Sequence, residues 1–525
     1  MVSSLKPSSS ELSHQVHFVS ESTILVDIES LNLKDDTDTL LAQFHKALAQ
    51  LQGASTKDDG SQSDSVRDRT HNSFVGFITF GSHFIVSLPK VFGPKELPEE
   101  KRRRLAKLVY KVFNRYRRRK PKKTAIKVYN NSRNQYNRPG SQSERKASQI
   151  HTAHTLIEDF QHNGLWKPHR QVHKKDGNGA ISWHRTIGGT LPIQSRSGVF
   201  YPEPIHNHSI LHHNHRLRQL HNWVLYQAYQ HYGWLVTQTE KNPLDWVQKP
   251  GTTSELLQIA TTQLRQSYSD RDLRLWGALV AYLKVEPKGE SPSSLKFLGT
   301  FSFHVIFEEM CRWVFEMQDT SIVDSNDERW SNLKATIQWE QTSDPTQKKW
   351  NNQGNILDIL LPLEVDPKDE KAIIKPKTGS DVLVLDAKYY DMETLFKEGK
   401  GKGSLKGAPS LTDVRKQYVY GQFVRQSQGV EATRNALCFP VVPQGEEPIR
   451  VIGHVKFDLD KKSVDTAYEK PICLFGLSLE WLMKHYILSA RKEEELQKKL
   501  WVLWDKSKDT EIKVQKEYRG PYKLI

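Results

Sequence analysis

Two short apolar runs, Asn355–Leu363 (NILDILLPL) and Asp381–Tyr390 (DVLVLDAKYY), carry charged residues in their interiors. Apolar runs of this length, bounded by Gly, Pro and charged residues, predict buried β-strands. Asp358 interrupts the first run, and Asp386 and Lys388 the second. A carboxylate in a buried strand loses hydration and needs a partner or a chemical task. Because strand side chains alternate, Asp386 and Lys388 project to one side and Ala387 to the other. A neighbouring strand that brings Asp358 alongside would converge two carboxylates and one ammonium.

Elsewhere the pattern changes period. Ser22–Ile28 reads as a strand, and Leu40, Leu41, Phe44, Leu48 and Leu51 recur at helical spacing. Phe74–Phe80 and His83–Leu88 flank Gly81-Ser82 and predict a hairpin. Leu97–Arg119 predicts a helix with one apolar stripe through Leu105, Leu108, Val109, Val112, Phe113 and Tyr116, and acids at its start suit the helix dipole. Helical patterns follow at His154–Phe160, Leu217–Val236, Ser254–Arg265 and Leu273–Leu283; Trp223, Tyr226, Tyr229 and Trp234 are assigned to packing. Asn130–Lys146 reads as a polar loop within the first half, and Glu286–Ser294, rich in Pro and Ser, as the domain boundary. Beyond it come a helix at Phe301–Met317, a helix at Ser410–Ser427, strands at Asn435–Val442 and Ile449–Phe457, and a helix at Leu477–Leu488. The run near Lys334–Trp339 is a further candidate strand.

Length and charge narrow the picture. A chain of 525 residues exceeds one ordinary core. Its net charge of +15 points to a polyanionic partner, since Lys and Arg gain affinity for phosphates by releasing counterions. Much of that charge lies on the Leu97–Arg119 helix, where Arg103, Arg104, Arg115, Arg117 and Arg118 make a phosphate-contacting face. Cys311, Cys438 and Cys473 lack C-x-x-C spacing and read as core thiols in a reducing compartment. The polar, Ser-rich start has no signal-peptide centre, and no apolar run has membrane-spanning length, so a soluble, cytoplasmic protein without membrane contact is expected. His206, His208, His212, His213, His215 and His221 crowd one region, but their spacings match no two-plus-two zinc set and no Cys lies nearby, so they read as surface or DNA-facing groups. The Gly-rich loop at Asp391–Gly407 lacks the G-K-[ST] ending of a nucleotide-binding loop.

The Asp358 and Asp386-Ala387-Lys388 arrangement resembles the PD-(D/E)xK nuclease motif, with Leu357 where a Pro usually precedes the first acid. More narrowly, VLDAKYY, TDVRKQYVYG, FEEMCRWVF and ISWHRTI look like the LlaJI family of restriction endonucleases, distantly similar to McrC-type nuclease subunits, over much of Phe74–Leu488. The resemblance implies a mixed α/β (α+β) chain: residues 1–290 form a DNA-recognition region and residues 291–525 a nuclease domain with an αβββαβ core. It implies a type II restriction endonuclease that makes sequence-specific double-strand breaks in unmethylated DNA. Its partners are double-stranded DNA, a cognate methyltransferase and an AAA+ GTPase subunit. Asp358, Asp386 and one of Glu308 and Glu309 would hold Mg²⁺. By helical phase Glu309 lies nearer the apolar stripe, whereas the resemblance favours Glu308. Lys388, protonated between carboxylates, would orient the attacking water. Gln417 is either a residue near the active centre or part of a plain amphipathic helix. Trp183, Arg185, Arg415 and Lys416 join the helix cations as DNA contacts, Arg being the commonest reader of guanine. Two rivals remain: a repair or mobile-element nuclease of the same fold, and a non-cleaving recognition subunit in which the acids merely satisfy Lys388.

Overall fold

The computed structural model describes residues 15–21, 24–30, 40, 42, 73–80, 83–93, 96–119, 125–130, 149–175, 179–211, 215–237, 242–285, 295–315, 334–341, 344–354, 359–362, 381–392, 409–428, 432–442, 447–455, 472–488, 500 and 503. In chain order the elements begin with β1 (Gln15–Ser20), α1 (Ile24–Ser30), β2 (Val75–Phe80), β3 (His83–Leu88), α2 (Glu99–Arg119) and β4 (Lys127–Asn130). Next come α3 (Gln149–Asn163), β5 (His169–Lys175), β6 (Ala180–Ile181), α4 (Trp183–Gly189), β7 (Ile193–Ser195), β8 (Gly198–Phe200) and β9 (Ile205–Leu211). They continue with α5 (Arg216–Val236), α6 (Thr253–Arg265), α7 (Asp270–Val285), β10 (Lys296–Thr300) and α8 (Phe303–Phe315). The last are β11 (Lys334–Gln341), β12 (Asp344–Gly354), β13 (Ile359–Pro362), β14 (Asp381–Ala387), α9 (Leu411–Gln428), β15 (Ala432–Val441), β16 (Ile449–Val455), β17 (Ile472–Ser478) and α10 (Leu479–Ile487). The chain is thus mixed α/β with several small sheets.

Two compact units emerge, and neither is continuous in sequence. The first comprises Met1–Gln15, Thr79–Phe84 and Val128–Leu298; the second comprises Val16–Ile78, Ile85–Lys127 and Gly299–Ile525. The expected division at residues 290 and 291 therefore assigns much of the N-terminal segment differently from the structure. The physical reason lies in α2: Arg104 pairs with Glu480 at 3.0 Å, and Arg115 donates to the Ile487 carbonyl at 2.9 Å, both on α10.

In the first unit, α3, α5, α6 and α7 pack together. Trp223, Tyr226, Tyr229 and Trp234 of α5 are all buried, as the packing assignment expects. α6 begins with a capping box, Thr252 and Glu255 each accepting from the other's backbone N–H. Three of the clustered histidines make hydrogen bonds to backbone groups. His221 is buried and accepts from the Trp166 backbone N–H at 3.1 Å, His215 caps α5, and His206 contacts the Gly179 carbonyl at 2.6 Å. Each satisfies backbone that would otherwise be orphaned. His212 and His213 lie outside the described residues, as do Ser55–Thr70, Glu286–Ser294 and most of Asn130–Lys146.

In the second unit the principal sheet runs β13-β14-β15-β17-β16. β13 is antiparallel to β14, β14 and β15 are parallel, β15 and β17 are parallel, and β16 is antiparallel to β17. α9 makes the crossover from β14 to β15 and seals a cluster of Met392, Val414, Tyr418, Leu437, Phe439, Ile472 and Leu474. Burying each large apolar side chain there contributes about 1.5–3 kcal/mol. α8 packs against β13 and β14. The run near Lys334–Trp339 does not join this sheet: β11 pairs with β12 in a separate two-stranded ladder. β17 is a fully buried strand that the sequence reading leaves unassigned, apart from Leu477 and Ser478, which it gives to the helix that follows. Its boundary is Ser478, whose side chain accepts from Trp481 N–H and starts α10.

The predicted strand at Ser22–Ile28 is instead the helix α1. Ile24, Asp27 and Ile28 are buried at helical spacing, and the Asp27 carboxylate accepts from Ser20 N–H at 3.1 Å. Glu21, which directly follows β1, is buried. Its Oε2 accepts from the Tyr389 hydroxyl at 2.6 Å and from Lys90 N–H at 3.0 Å. Lys90 Nζ in turn donates to the Tyr389 carbonyl at 2.8 Å and lies 4.5 Å from the Tyr389 ring centroid. Burial pushes the Glu21 carboxyl up and the Lys90 ammonium down, while burial and the Glu21 charge raise the Tyr389 hydroxyl. Two segments distant in sequence thus hold the residue that follows Lys388.

Tyr389→Phe should destabilise the protein by about 1–3 kcal/mol in urea unfolding, because it removes a donor from a buried carboxylate. A second expectation concerns pH. Burial depresses His221 from 6.5 to about 4. The unfolded chain therefore binds a proton first as pH falls, so the contribution of neutral His221 is complete above pH 6.5 and disappears between 6.5 and about 4. The full loss is on the order of 3 kcal/mol. Unfolding curves at successive pH values should show that slope in the wild type and lose it in His221→Gln.

Candidate active site

β14 carries DVLVLDA, and its parallel register with β15 sets Asp386 opposite Leu437 and Ala387 opposite Cys438. The ladder continues one residue further, since Lys388 N–H donates to the Cys438 carbonyl at 2.8 Å. This fixes the backbone on both sides of Ala387 and turns Asp386 and Lys388 to the same side. Lys388 Nζ lies 2.8 Å from Asp386 Oδ2. Asp386 is 7% exposed and Lys388 half-buried, so the pair sits at the border of the core.

Asp358 lies outside the described residues. The strand described next to β14 starts at the following residue, Ile359, whose register partner is Leu385.

α8 approaches the same segment: the Phe303 and Phe307 rings lie 5.2 and 5.7 Å from that of Tyr389. The two glutamates of α8 differ sharply. Glu309 is buried and paired with Arg119 Nε at 3.4 Å, and the Arg119 guanidinium stacks 3.7 Å from the Trp313 ring centroid. Glu308 is half-buried and lies one turn beyond His304. Desolvation, followed by the ammonium groups of Lys90 and Lys388, holds His304 below its ordinary value.

Gln417 of α9 is fully buried, and its Nε2 donates to the carbonyls of Val384 at 2.6 Å and Ala436 at 3.1 Å. It braces α9 across β14 and β15. Arg415 and Lys416 on the same helix are exposed. One acid that the sequence reading passed over also meets the site: Asp413 Oδ1 stands 3.9 Å from Lys388 Nζ. Only its place in the first turn of the crossover helix signalled it.

The expected DNA-contacting residues are divided by the structure. On α2, Arg103 pairs with Glu99 at 2.9 Å and Arg104 with Glu480, whereas the Arg115 guanidinium lies 4.7 Å from the Trp313 ring centroid. Arg117 is half-buried and Arg118 exposed. Trp183 and Arg185 are exposed on α4 in the first unit. Among the described residues no group of three or more His, Cys, Asp or Glu is arranged to hold a metal ion, and no helix is long and apolar enough to cross a membrane.

Comparison with known proteins adds to this geometry. A family model described as LlaJI restriction endonuclease matches residues 74–469. The type II restriction enzyme BsuMI component YdjA of Bacillus subtilis (strain 168) is 25% identical over 424 residues, covering 79% of this chain and 82% of that protein. Among solved structures, the half-complex of Thermococcus gammatolerans McrB AAA+ hexamers with bound McrC matches with a TM-score of 0.34 and 14% identity, covering 92% of this chain and 99% of that one. The McrBC complex of the same organism matches with a TM-score of 0.18 and 14% identity, covering 51% and 70% of the two chains. The family match takes in the hairpin strands, the D-x-K segment and the crossover helix that holds it, and the chain belongs to the LlaJI restriction endonuclease family.

Proposed function

We propose that this chain is the DNA-cutting chain of a type II restriction system, hydrolysing phosphodiester bonds of unmethylated double-stranded DNA at a specific sequence. The observation that carries the reading is the Asp386–Lys388 pair, 2.8 Å apart at the end of a buried strand in a mixed sheet. The strand order, with an antiparallel neighbour on one side and a parallel strand reached through α9 on the other, supports a PD-(D/E)xK core.

A buried carboxylate beside a strand end suits a hard cation, because Mg²⁺ is held by one or two carboxylates with the substrate's phosphate supplying further oxygens. Asp386 with Asp358, and Glu308 in preference to the ion-paired Glu309, would hold it. Bound there, Mg²⁺ neutralises the negative charge that builds on the phosphate oxygens. Lys388 donates hydrogen bonds that orient the attacking water, Asp386 keeps its ammonium in place, and Gln417 fixes the strand ends from which both project. Exposed Arg118, Arg415, Lys416, Trp183 and Arg185 grip the duplex, with Arg103, Arg104, Arg115 and Arg117 adding positive potential.

The Bacillus subtilis relative is by its name a component of an enzyme. We accordingly place this chain in a multi-chain system with an AAA+ GTPase subunit and a protecting methyltransferase. A surface for such a subunit is available in the first unit, where Ile187, Leu191, Ile193, Val199 and Phe200 are all more than half exposed. The ion pair itself favours one rival: if Asp386 serves only to neutralise Lys388, the chain recognises DNA without cutting it.

Cleavage of plasmid and phage DNA in Mg²⁺ separates the readings. The wild type, alone or with its GTPase subunit and GTP, should yield discrete fragments. Asp386→Ala and Lys388→Ala, checked for folding and DNA binding, should cut at least about 100-fold more slowly. A pure, DNA-binding wild type that cuts under none of these conditions would establish the recognition-subunit reading. Ile193→Asp with Phe200→Asp should leave thermal stability unchanged while abolishing co-purification with the subunit.

A further inference from the structure

The ammonium of Lys388 stands between two carboxylates, Asp386 Oδ2 at 2.8 Å and Asp413 Oδ1 at 3.9 Å. Asp413 occupies the first turn of α9, at the positive end of the helix dipole. Its other oxygen, Oδ2, accepts from both the backbone N–H and the hydroxyl of Ser410 at 2.8 Å, while Asp413 N–H donates back to the Ser410 hydroxyl at 3.3 Å. This reciprocal cap holds the carboxylate so that Oδ1 is the atom nearest Lys388.

The arrangement matters because Asp386 has two incompatible tasks under the proposed chemistry. A divalent cation on its carboxylate repels an ammonium within hydrogen-bonding distance, and Lys388 carries its charge on a flexible four-carbon stem. A second carboxylate within reach gives the ammonium a place to stay when the cation arrives. We propose that Asp413 is a positioning residue that takes over the Lys388 ammonium when Asp386 engages the cation, keeping it beside the scissile phosphate. The assignment rests on the nuclease reading of the site. It deepens that reading by giving the crossover helix a part in the active centre.

A double-mutant cycle tests it independently of cutting. Unfolding of the full chain is measured for wild type, Asp413→Asn, Lys388→Gln and the double variant, in EDTA and in Mg²⁺. Asp413→Asn keeps an oxygen to accept from Ser410 and removes only the charge. The coupling between the two positions should alter the unfolding equilibrium constant by about threefold in EDTA and about tenfold in Mg²⁺. In single-turnover cleavage, Asp413→Asn should be at least about tenfold slower, with DNA affinity in Ca²⁺ unchanged, and Asp413→Glu should recover part of the rate. Ser410→Ala, which loses the hydroxyl bonds but keeps the Ser410 N–H bond and the Asp413 charge, should slow cleavage less than Asp413→Asn. A coupling that is absent, or that does not grow in Mg²⁺, overturns the assignment, and so does a Ser410→Ala variant as slow as Asp413→Asn. If Mg²⁺ stabilises the wild type but leaves the coupling unchanged, only the role of Asp413 falls. If Mg²⁺ neither stabilises the wild type nor supports cutting, the nuclease reading falls as well.

Discussion

Removing a carboxylate and an ammonium from bulk water costs several kcal/mol per ion, and their mutual attraction offsets that cost only where geometry is close and other hydrogen bonds assist. Asp386 and Lys388 meet the first condition at 2.8 Å. The backbone around them meets a second, because the ladder to β15 extends through the Lys388 N–H to the Cys438 carbonyl. Much of the surrounding architecture bears on that short stretch. α9 is tied to the carbonyls of Val384 and Ala436 by Gln417, and α8 lays Phe303 and Phe307 on Tyr389. Glu21 and Lys90 hold Tyr389 from the N-terminal segment. A charged pair at the edge of a core needs rigid surroundings, and these elements provide them.

The same economy governs the basic helix α2. Its cations look in sequence like a face for phosphates, yet Arg119 and Arg115 lie over Trp313, and Arg104 pairs with Glu480. Arginine suits such places because its planar, weakly hydrated guanidinium stacks on aromatic rings and forms directed hydrogen bonds to carboxylates. The net charge of +15 still favours a polyanion. Charge composition announces the kind of partner without locating the contact.

Family membership and structure bear on different levels of the functional argument. The match over residues 74–469 makes the chain a restriction endonuclease family member. Under the proposed function, which carboxylates would hold a cation, and whether another subunit would act first, are matters of local geometry and assembly. Here the contrast between Glu308 and Glu309 is instructive: adjacent in sequence, they face different tasks because one helical step of about 100° turns Glu309 into the ion pair with Arg119.

The sequence by itself determined what depends on local periodicity and alternation. The hairpin strands, α2, α5, α6, α7 and α8 follow from apolar spacing, and the shared side of Asp386 and Lys388 follows from the two-residue repeat of a strand. The tertiary structure decided what depends on contacts between distant residues. It made a helix of Ile24–Ser30, where burial on one face and the Asp27 bond to Ser20 outweigh β-branched propensity. It set β11 and β12 apart in their own ladder, and it separated β17 from the helix that its apolar run joins in sequence. It drew Glu21 and Lys90 to Tyr389 and placed Asp413 near Lys388, pairings that no spacing rule encodes because they arise only when separate elements close around one core.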